Sequence, residues 1–259
     1  MTQQRQRHWV AFNTLLNREI RRFVRIWPQT LLPPAITMTL YFVIFGNLMG
    51  SRIGQMSGFN YIEYIAPGII MMAVINNAYA NVASSFFSAK FQNHIEELLI
   101  APIPNYLILA GYVAGGAARG LLVGLIVTAV SLFFTSLPIQ HLFITLSMVV
   151  LSAIMFALGG FINAIYAKSF DEIAIIPTFI LTPLTYLGGI FYSIDLLPEF
   201  WQQVSLFNPI LYMVNAFRYG MLGVSDIPIS IAFSIIVLCI VGLSGFALHL
   251  LNKGTGIRH

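Results

Sequence analysis

The chain alternates long apolar runs with short polar intervals. Its longest charge-free stretches are Ile26–Ser51, Tyr64–Ala89, Leu98–Ala118, Gly120–Ala167, Ile173–Ile194 and Ile227–Asn252. About 20 apolar residues in a helix cross the ~30 Å hydrocarbon core of a bilayer. Gly120–Ala167 holds 48 residues, too many for one helix, and breaks at the turn-like interval Ser136–His141. The pattern therefore predicts six spans, over about 30–50, 62–87, 106–135, 142–167, 173–193 and 227–251. A backbone in lipid must satisfy its own hydrogen bonds, which leaves helices or closed barrels. Barrel strands show ~10-residue segments of alternating polarity, whereas these runs are apolar on every face. The expected fold is all-α and polytopic, a single transmembrane domain over residues 1–259.

Composition agrees. Of the 259 residues, 58% are hydrophobic and only 8% charged, against about 25% charged in soluble proteins. That balance also excludes intrinsic disorder. Cys239 is the one cysteine, so no intrachain disulfide and no multi-cysteine metal site exist. The positive charges are distributed unequally. In the six-span arrangement one side carries Arg5, Arg7, Arg18, Arg21, Arg22, Arg25, Lys90, Lys168, Lys253 and Arg258; the other carries Arg52 and Arg218. Lys/Arg excess marks the cytoplasmic side, so both termini are expected in the cytoplasm. The first 27 residues do not read as a cleavable signal, because arginines interrupt them throughout.

Between His8 and Trp27 the period changes. Trp9, Phe12, Leu16, Ile20, Phe23 and Trp27 fall three or four residues apart, while Arg18, Arg21, Arg22 and Arg25 cluster away from them. This predicts a basic amphipathic helix lying in the membrane interface, apolar stripe down and arginines toward anionic headgroups. The same stripe argues against nucleic acid as the partner of the basic residues. Pro28 ends the helix.

The longest polar excursion on the cytoplasmic side is Ser88–Asn105. Phe91, Ile95, Leu98 and Leu99 share a helical face, Glu96 and Glu97 protrude elsewhere, and Pro102 and Pro104 end the helix. Such a helix either docks into a groove on a partner or simply connects two spans. The segment Glu96-Glu97-Leu98-Leu99-Ile100-Ala101-Pro102-Ile103-Pro104 resembles the Glu-Leu-Leu-x-x-Pro signature of type-2 ATP-binding-cassette export permeases, the membrane subunits of drug, nodulation-factor and polysaccharide exporters. The resemblance covers essentially the whole chain: basic N-terminal helix, six spans, the signature between spans two and three, and Asn208-Pro209 before the last span. It implies a coupling helix at about Gln92–Pro104 that sits on a separate ATPase subunit. Gln92, Ile95, Glu96, Glu97, Leu98, Leu99, Ala101 and Pro102 would then form the docking segment.

Ser193–Asp226 is 34 residues long with only Asp195, Glu199, Arg218 and Asp226 charged. It is too apolar for water and too interrupted to cross. Either a re-entrant helical hairpin on the outer side or an aromatic belt at the interface accounts for it, and the family resemblance implies the hairpin. Trp201, Asn208, Pro209 and Arg218 are its candidate functional residues, with a turn at Asn208-Pro209.

Arg119 is the one charge expected inside a span, and an intramembrane charge is expensive enough to mark either a structural pairing or a substrate or gate role. Around it Gly116, Gly120 and Gly124 form two GxxxG steps, for packing within the chain or across a dimer. Enzyme chemistry has no support. The five histidines are scattered, His94-Ile-Glu-Glu lacks the second histidine of a zinc motif, and no GxSxG elbow occurs. Lys90, Lys168 and Lys253 follow Ala, Ala and Asn, so no Walker A loop is present and ATP and Mg would bind a partner subunit. The expectation is the permease subunit of an ATP-driven exporter in a bacterial cytoplasmic (inner) membrane, dimeric, docked to a separate ATPase and embedded in lipid. Its aromatic, uncharged spans suit an amphipathic, lipid-linked or carbohydrate-like substrate. The alternative is a non-transporting scaffold or receptor that recruits a cytosolic protein.

Overall fold

The structure is a computed structural model that describes residues 3–100, 102–254 and 256. The basic segment forms α1 (Gln3–Arg25). A break at Ile26 leads into α2 (Trp27–Thr30) and α3 (Leu32–Tyr41), whose prolines sit in first turns, where a missing N–H costs nothing. A π-helical stretch, Phe42–Met49, and α4 (Gly50–Ile53) complete this arm. The Ser51–Tyr61 loop contains a small hairpin, β1 (Gln55–Met56) against β2 (Phe59–Asn60), with Gln55 opposite Asn60. Its turn residues Ser57 and Gly58 both have positive φ, 52° and 83°, the requirement of a tight two-residue hairpin turn.

The centre of the molecule is α5 (Tyr61–Phe91), 31 residues long. Asn60 and Glu63 form a reciprocal capping box at its start. It packs against α7 (Asn105–Ser131), α8 (Leu142–Tyr166) and α12 (Pro209–Leu222), and its side chains form the middle of the main apolar core. The short α6 (His94–Ile100) joins α5 to α7, and α13 (Ile229–Lys253) closes the bundle against α8 and α12. The glycine steps predicted for close packing are used within the chain. A Cβ on Gly120 would lie 2.9 Å from the Val74 carbonyl of α5, and one on Gly116 would overlap Val82.

Among the described residues, five helices are long and apolar enough to cross a membrane: Trp27–Gly46, Tyr61–Phe91, Asn105–Ser131, Leu142–Tyr166 and Ile229–Lys253. The segment expected at 173–193 differs. It is built from α9 (Phe170–Ile176), a π-helical turn (Pro177–Leu181) and α10 (Thr182–Tyr186), of 7, 5 and 5 residues. Pro177 and Pro183 withdraw hydrogen-bond donors at the junctions. The chain then leaves the helix at Gly188-Gly189, where Gly189 has a φ of 67°. The span placed at 106–135 also ends earlier, at Ser131.

The region 193–226 holds a short 3₁₀ turn (Ile194–Leu196), α11 (Glu199–Leu206) and α12. Asn208 caps α12 by accepting from the Ile210 N–H at 3.0 Å, and its own amide donates to the Leu184 carbonyl at 2.6 Å. The two helices are unlike: α12 is almost wholly buried, whereas α11 shows Phe200 and Trp201 on its surface.

Candidate functional site

At one end of the bundle the docking segment is anchored by its own apolar face. Phe91 ends α5, and Gln92 and Asn93 make the turn, Asn93 with a φ of 60°. Ile95 is 2% exposed and packs with Phe87, Ile108 and Leu109, with Leu98 beside it. These two residues, expected among the docking set, therefore hold α6 to its own chain, and Ile95 is not available to a partner. Gln92, Ile100 and Pro102 are exposed. The side chains of Glu96, Glu97 and Leu99, and Ala101 altogether, lie outside the described residues. Pro104 caps α7 in an extended conformation, and α6 lies between two long helices.

Lys90, seen in the sequence only as one cation of the cytoplasmic set, does specific work here. Its ammonium donates to the carbonyls of Ile165 (2.6 Å) and Ala167 (2.8 Å) at the end of α8. These are terminal helix carbonyls with no partner inside the helix, and a cation there is favoured. Phe87, Phe91 and Phe170 cluster around the same corner, Phe87 and Phe170 edge to face with centroids 4.9 Å apart. The end of α5, the start of α6 and the α8–α9 junction thus form one mechanical unit.

The basic helix α1 lies along α7, where Gly111 and Gly115 leave room for Leu15 and Glu19. Its inward face is Leu15, Glu19 and Phe23. Trp9, Trp27, Arg21 and Arg25 are exposed. Two of the arginines expected to face headgroups turn toward the protein instead. Arg18 donates to the Tyr112 hydroxyl at 2.7 Å, and Arg22 to the Asn81 side-chain oxygen at 2.7 Å and carbonyl at 3.0 Å. The cause is a polar stripe on α5, Asn77, Asn81 and Ser85, spaced four apart and buried. Glu19, 1% exposed, receives the Ser85 hydroxyl at 2.5 Å and pairs with Arg18 and Arg22 at 3.3 and 3.4 Å. Arg119 joins the same seam, donating to the Asn77 side-chain oxygen and the Thr30 carbonyl, both at 3.3 Å. The i, i+4 spacing of Asn77, Asn81 and Ser85 is visible in the sequence, but an all-apolar span reading passes over it.

Arg119 is half-buried, and a second arginine lies deeper. Arg218, placed on the outer side by the charge count, is 0% exposed inside the protein. It donates to the carbonyls of Tyr64 (3.2 Å) and Gly189 (2.6 Å) and lies over the Tyr64 ring. Trp201 stands apart from it on the exposed face of α11, while Asn208 and Pro209 form the start of α12.

Residues 10–222 match the family model for the ABC-2 type transporter. The chain is 57% identical over 252 residues to the inner membrane transport permease YadH of Escherichia coli K12, covering 97% of this chain and 98% of that protein. It is also 26% identical to nodulation protein J of Rhizobium leguminosarum bv. viciae over 188 residues, 71% of each chain. Nodulation protein J of Sinorhizobium fredii is 26% identical over 204 residues, 77% of this chain and 76% of that one. With the matched region spanning most of its length, and with several helices able to cross a membrane, the chain belongs to the ABC-2 type transporter family of membrane permeases.

Proposed function

We propose that this chain is the membrane subunit of an ATP-driven exporter, working as a homodimer with two copies of a separate ATP-binding-cassette ATPase. One observation carries the reading: α6 is pinned to its own bundle by Ile95 and Leu98 while Gln92, Ile100 and Pro102 remain exposed. A block held that way transmits a push from outside into α5 and α7 as a rigid-body movement. Lys90 carries the same displacement to the end of α8. ATP and Mg belong to the partner subunit, since this chain has no Walker A loop.

In this reading the permease is a single domain in a bacterial inner membrane with both termini in the cytoplasm. The α9–α10 segment completes a sixth crossing, its shortness made up by the turn at Gly188-Gly189. α11 and α12 form the outer re-entrant hairpin. The substrate is amphipathic, lipid-linked or carbohydrate-like, which the uncharged, aromatic-rich interior favours over a small ion.

The test is co-purification. Affinity-purified chain from its native host membrane should carry an ATP-binding-cassette ATPase in near-equal amount, and Glu97→Arg should lose it while leaving the permease folded. A chain that never retains an ATPase, or that retains it equally well as Glu97→Arg, overturns the docking reading and leaves a scaffold or receptor in its place.

A further inference from the structure

The seam between α1, α5 and α7 carries more positive charge than the protein neutralises. Arg18, Arg22 and Arg119 meet there, and Glu19 is the one carboxylate paired with them among the described residues. Arg22 acts on Arg119 as a like charge, and the asparagines they bind, Asn81 and Asn77, are one helical turn apart on α5. Among the described residues, the buried polar atoms left without a partner in this seam are all donors: Arg119 Nε, Arg22 Nε and Asn81 Nδ2. Arg22 Nε lies 3.4 Å from Glu19 but makes no aligned hydrogen bond to it. Asn81 is 0% exposed, so bulk water does not serve its amide. Buried polar groups are normally satisfied; the Arg18 and Arg22 side chains are 44% and 34% exposed and Arg119 is half-buried, so the surplus charge reaches from the seam to the surface while the orphaned donor atoms themselves are covered. A set of orphaned donors with surplus positive charge lacks an acceptor that is itself negative.

The site also has a mouth. A groove of about 820 Å³ runs along α1, lined by Thr14, Asn17, Arg18, Arg21, Arg22 and Arg25. Arg22 belongs to both the groove and the seam, bridging the exposed arginines and the buried asparagine. Guanidinium forks match phosphate oxygens in geometry as well as charge.

We propose that this seam is a binding site for one phosphate-type anion, held by Arg18, Arg22 and Arg119 with the Asn81 amide as a neutral donor. The anion belongs to an anionic lipid headgroup in the leaflet where α1 lies, or to a phosphate group on a soluble ligand entering by the same groove. The site does not depend on the ATPase-docking reading, and its test is separate.

Native mass spectrometry of the full-length chain in detergent, titrated with phosphatidylglycerol and with phosphatidylcholine, reads the affinity ratio for the first bound lipid. Removing one charge-assisted contact is expected to cost about tenfold. The ratio should therefore be about tenfold or more in the wild type and fall toward one in Arg119→Gln and in Asn81→Asp. Asn81→Asp supplies the missing negative charge in nearly the same shape, so it decides the question even where Arg119→Gln does not fold. With phosphatidylglycerol bound, inorganic pyrophosphate identifies the source: displacement assigns the site to a soluble phosphate, retention to the lipid headgroup. A wild-type ratio near one with no binding of inorganic pyrophosphate to the wild-type chain either, or a preference undiminished in Asn81→Asp or in a folded Arg119→Gln, overturns the proposal.

Discussion

The Arg218 guanidinium carbon lies 4.0 Å from the centre of the Tyr64 ring, while Arg218 Nε donates to the Tyr64 carbonyl at 3.2 Å. One residue of α5 is thus held through its ring and its backbone together. The other arm of the fork reaches Gly189 O at 2.6 Å. Beside it Gly68 lets the following residue approach α5, a Cβ there falling 2.8 Å from the Ile190 carbonyl. The turn after α10, the start of α5 and the buried α12 are therefore fastened at one point. Arg218→Gln should leave at least one of these carbonyls unpaired and lower stability by about 3 kcal/mol. Arg218→Lys should recover only part, because an ammonium neither forks nor stacks as a guanidinium does. Unfolding in detergent measures the loss, and faster amide exchange confined to Gly189–Ser193 would locate it. Wild-type exchange in that turn would show that Arg218 does not hold it.

The glycines of α7 and α8 give a second, graded prediction. A Cβ at Gly160 would overlap the backbone carbonyl of Tyr79, which cannot swing away, and at Gly120 it would crowd the Val74 carbonyl at 2.9 Å. Gly242 on α13 has nothing within 4 Å. Gly160→Ala and Gly120→Ala are each expected to destabilise by about 1–3 kcal/mol through overpacking. Gly242→Ala should be neutral, or stabilising by up to about 1 kcal/mol through helix propensity. Thermal unfolding of the three variants in one detergent checks the order; equal effects would mean that α5 does not pack on these glycines.

What the sequence revealed and what it hid divide along the range of the interactions. Apolar run length located α5, α7, α8 and α13 to within a few residues, because crossing length is a local property. At 173–193 it does not register Pro177 and Pro183, which bring a π-helical turn into the helical run over 170–186. The charge count treated Arg218, Arg18 and Arg22 as surface cations. Their partners lie 154 residues away at Tyr64, 94 at Tyr112 and 59 at Asn81, so no window along the chain pairs them. The inward face of α1 was misjudged for a related reason. Glu19 sits among arginines in sequence, and what buries it lies on other helices: the gap at Gly115 of α7 and the Ser85 hydroxyl of α5.

Orientation is open to a direct chemical check. Cys239, half-buried in α13, is removed first as Cys239→Ser. A cysteine then placed at Ser57, exposed at the tip of the β1–β2 hairpin, should react with a membrane-impermeant thiol reagent applied to intact cells with a permeable outer membrane. One placed at Gln92, exposed at the end of α5, should react only after the inner membrane is opened. The opposite result would invert the Lys/Arg argument for the whole chain.

Lys90 provides the sharpest separation of structure from coupling. Its ammonium satisfies the Ile165 and Ala167 carbonyls from a neighbouring helix, linking the base of α6 to the α8–α9 junction. Lys90→Met keeps the length and apolar stem but removes the donor. The end of α8 should then fray, with faster exchange of the amides around Ala167–Ser169 and a stability loss of about 1–2 kcal/mol, the cost of leaving a helix terminus without its cation. Ile95 and the Phe87 cluster remain in place, so ATPase association should persist. Transport-linked stimulation of the ATPase should fall instead, because a push on α6 would reach α8 only through the packing of α5 and α7 on it and no longer through the tie at its end. Lys90→Arg, which keeps a donor at the same carbonyls, should restore most of it. Full stimulation in Lys90→Met would show that α8 moves with its neighbours through packing alone.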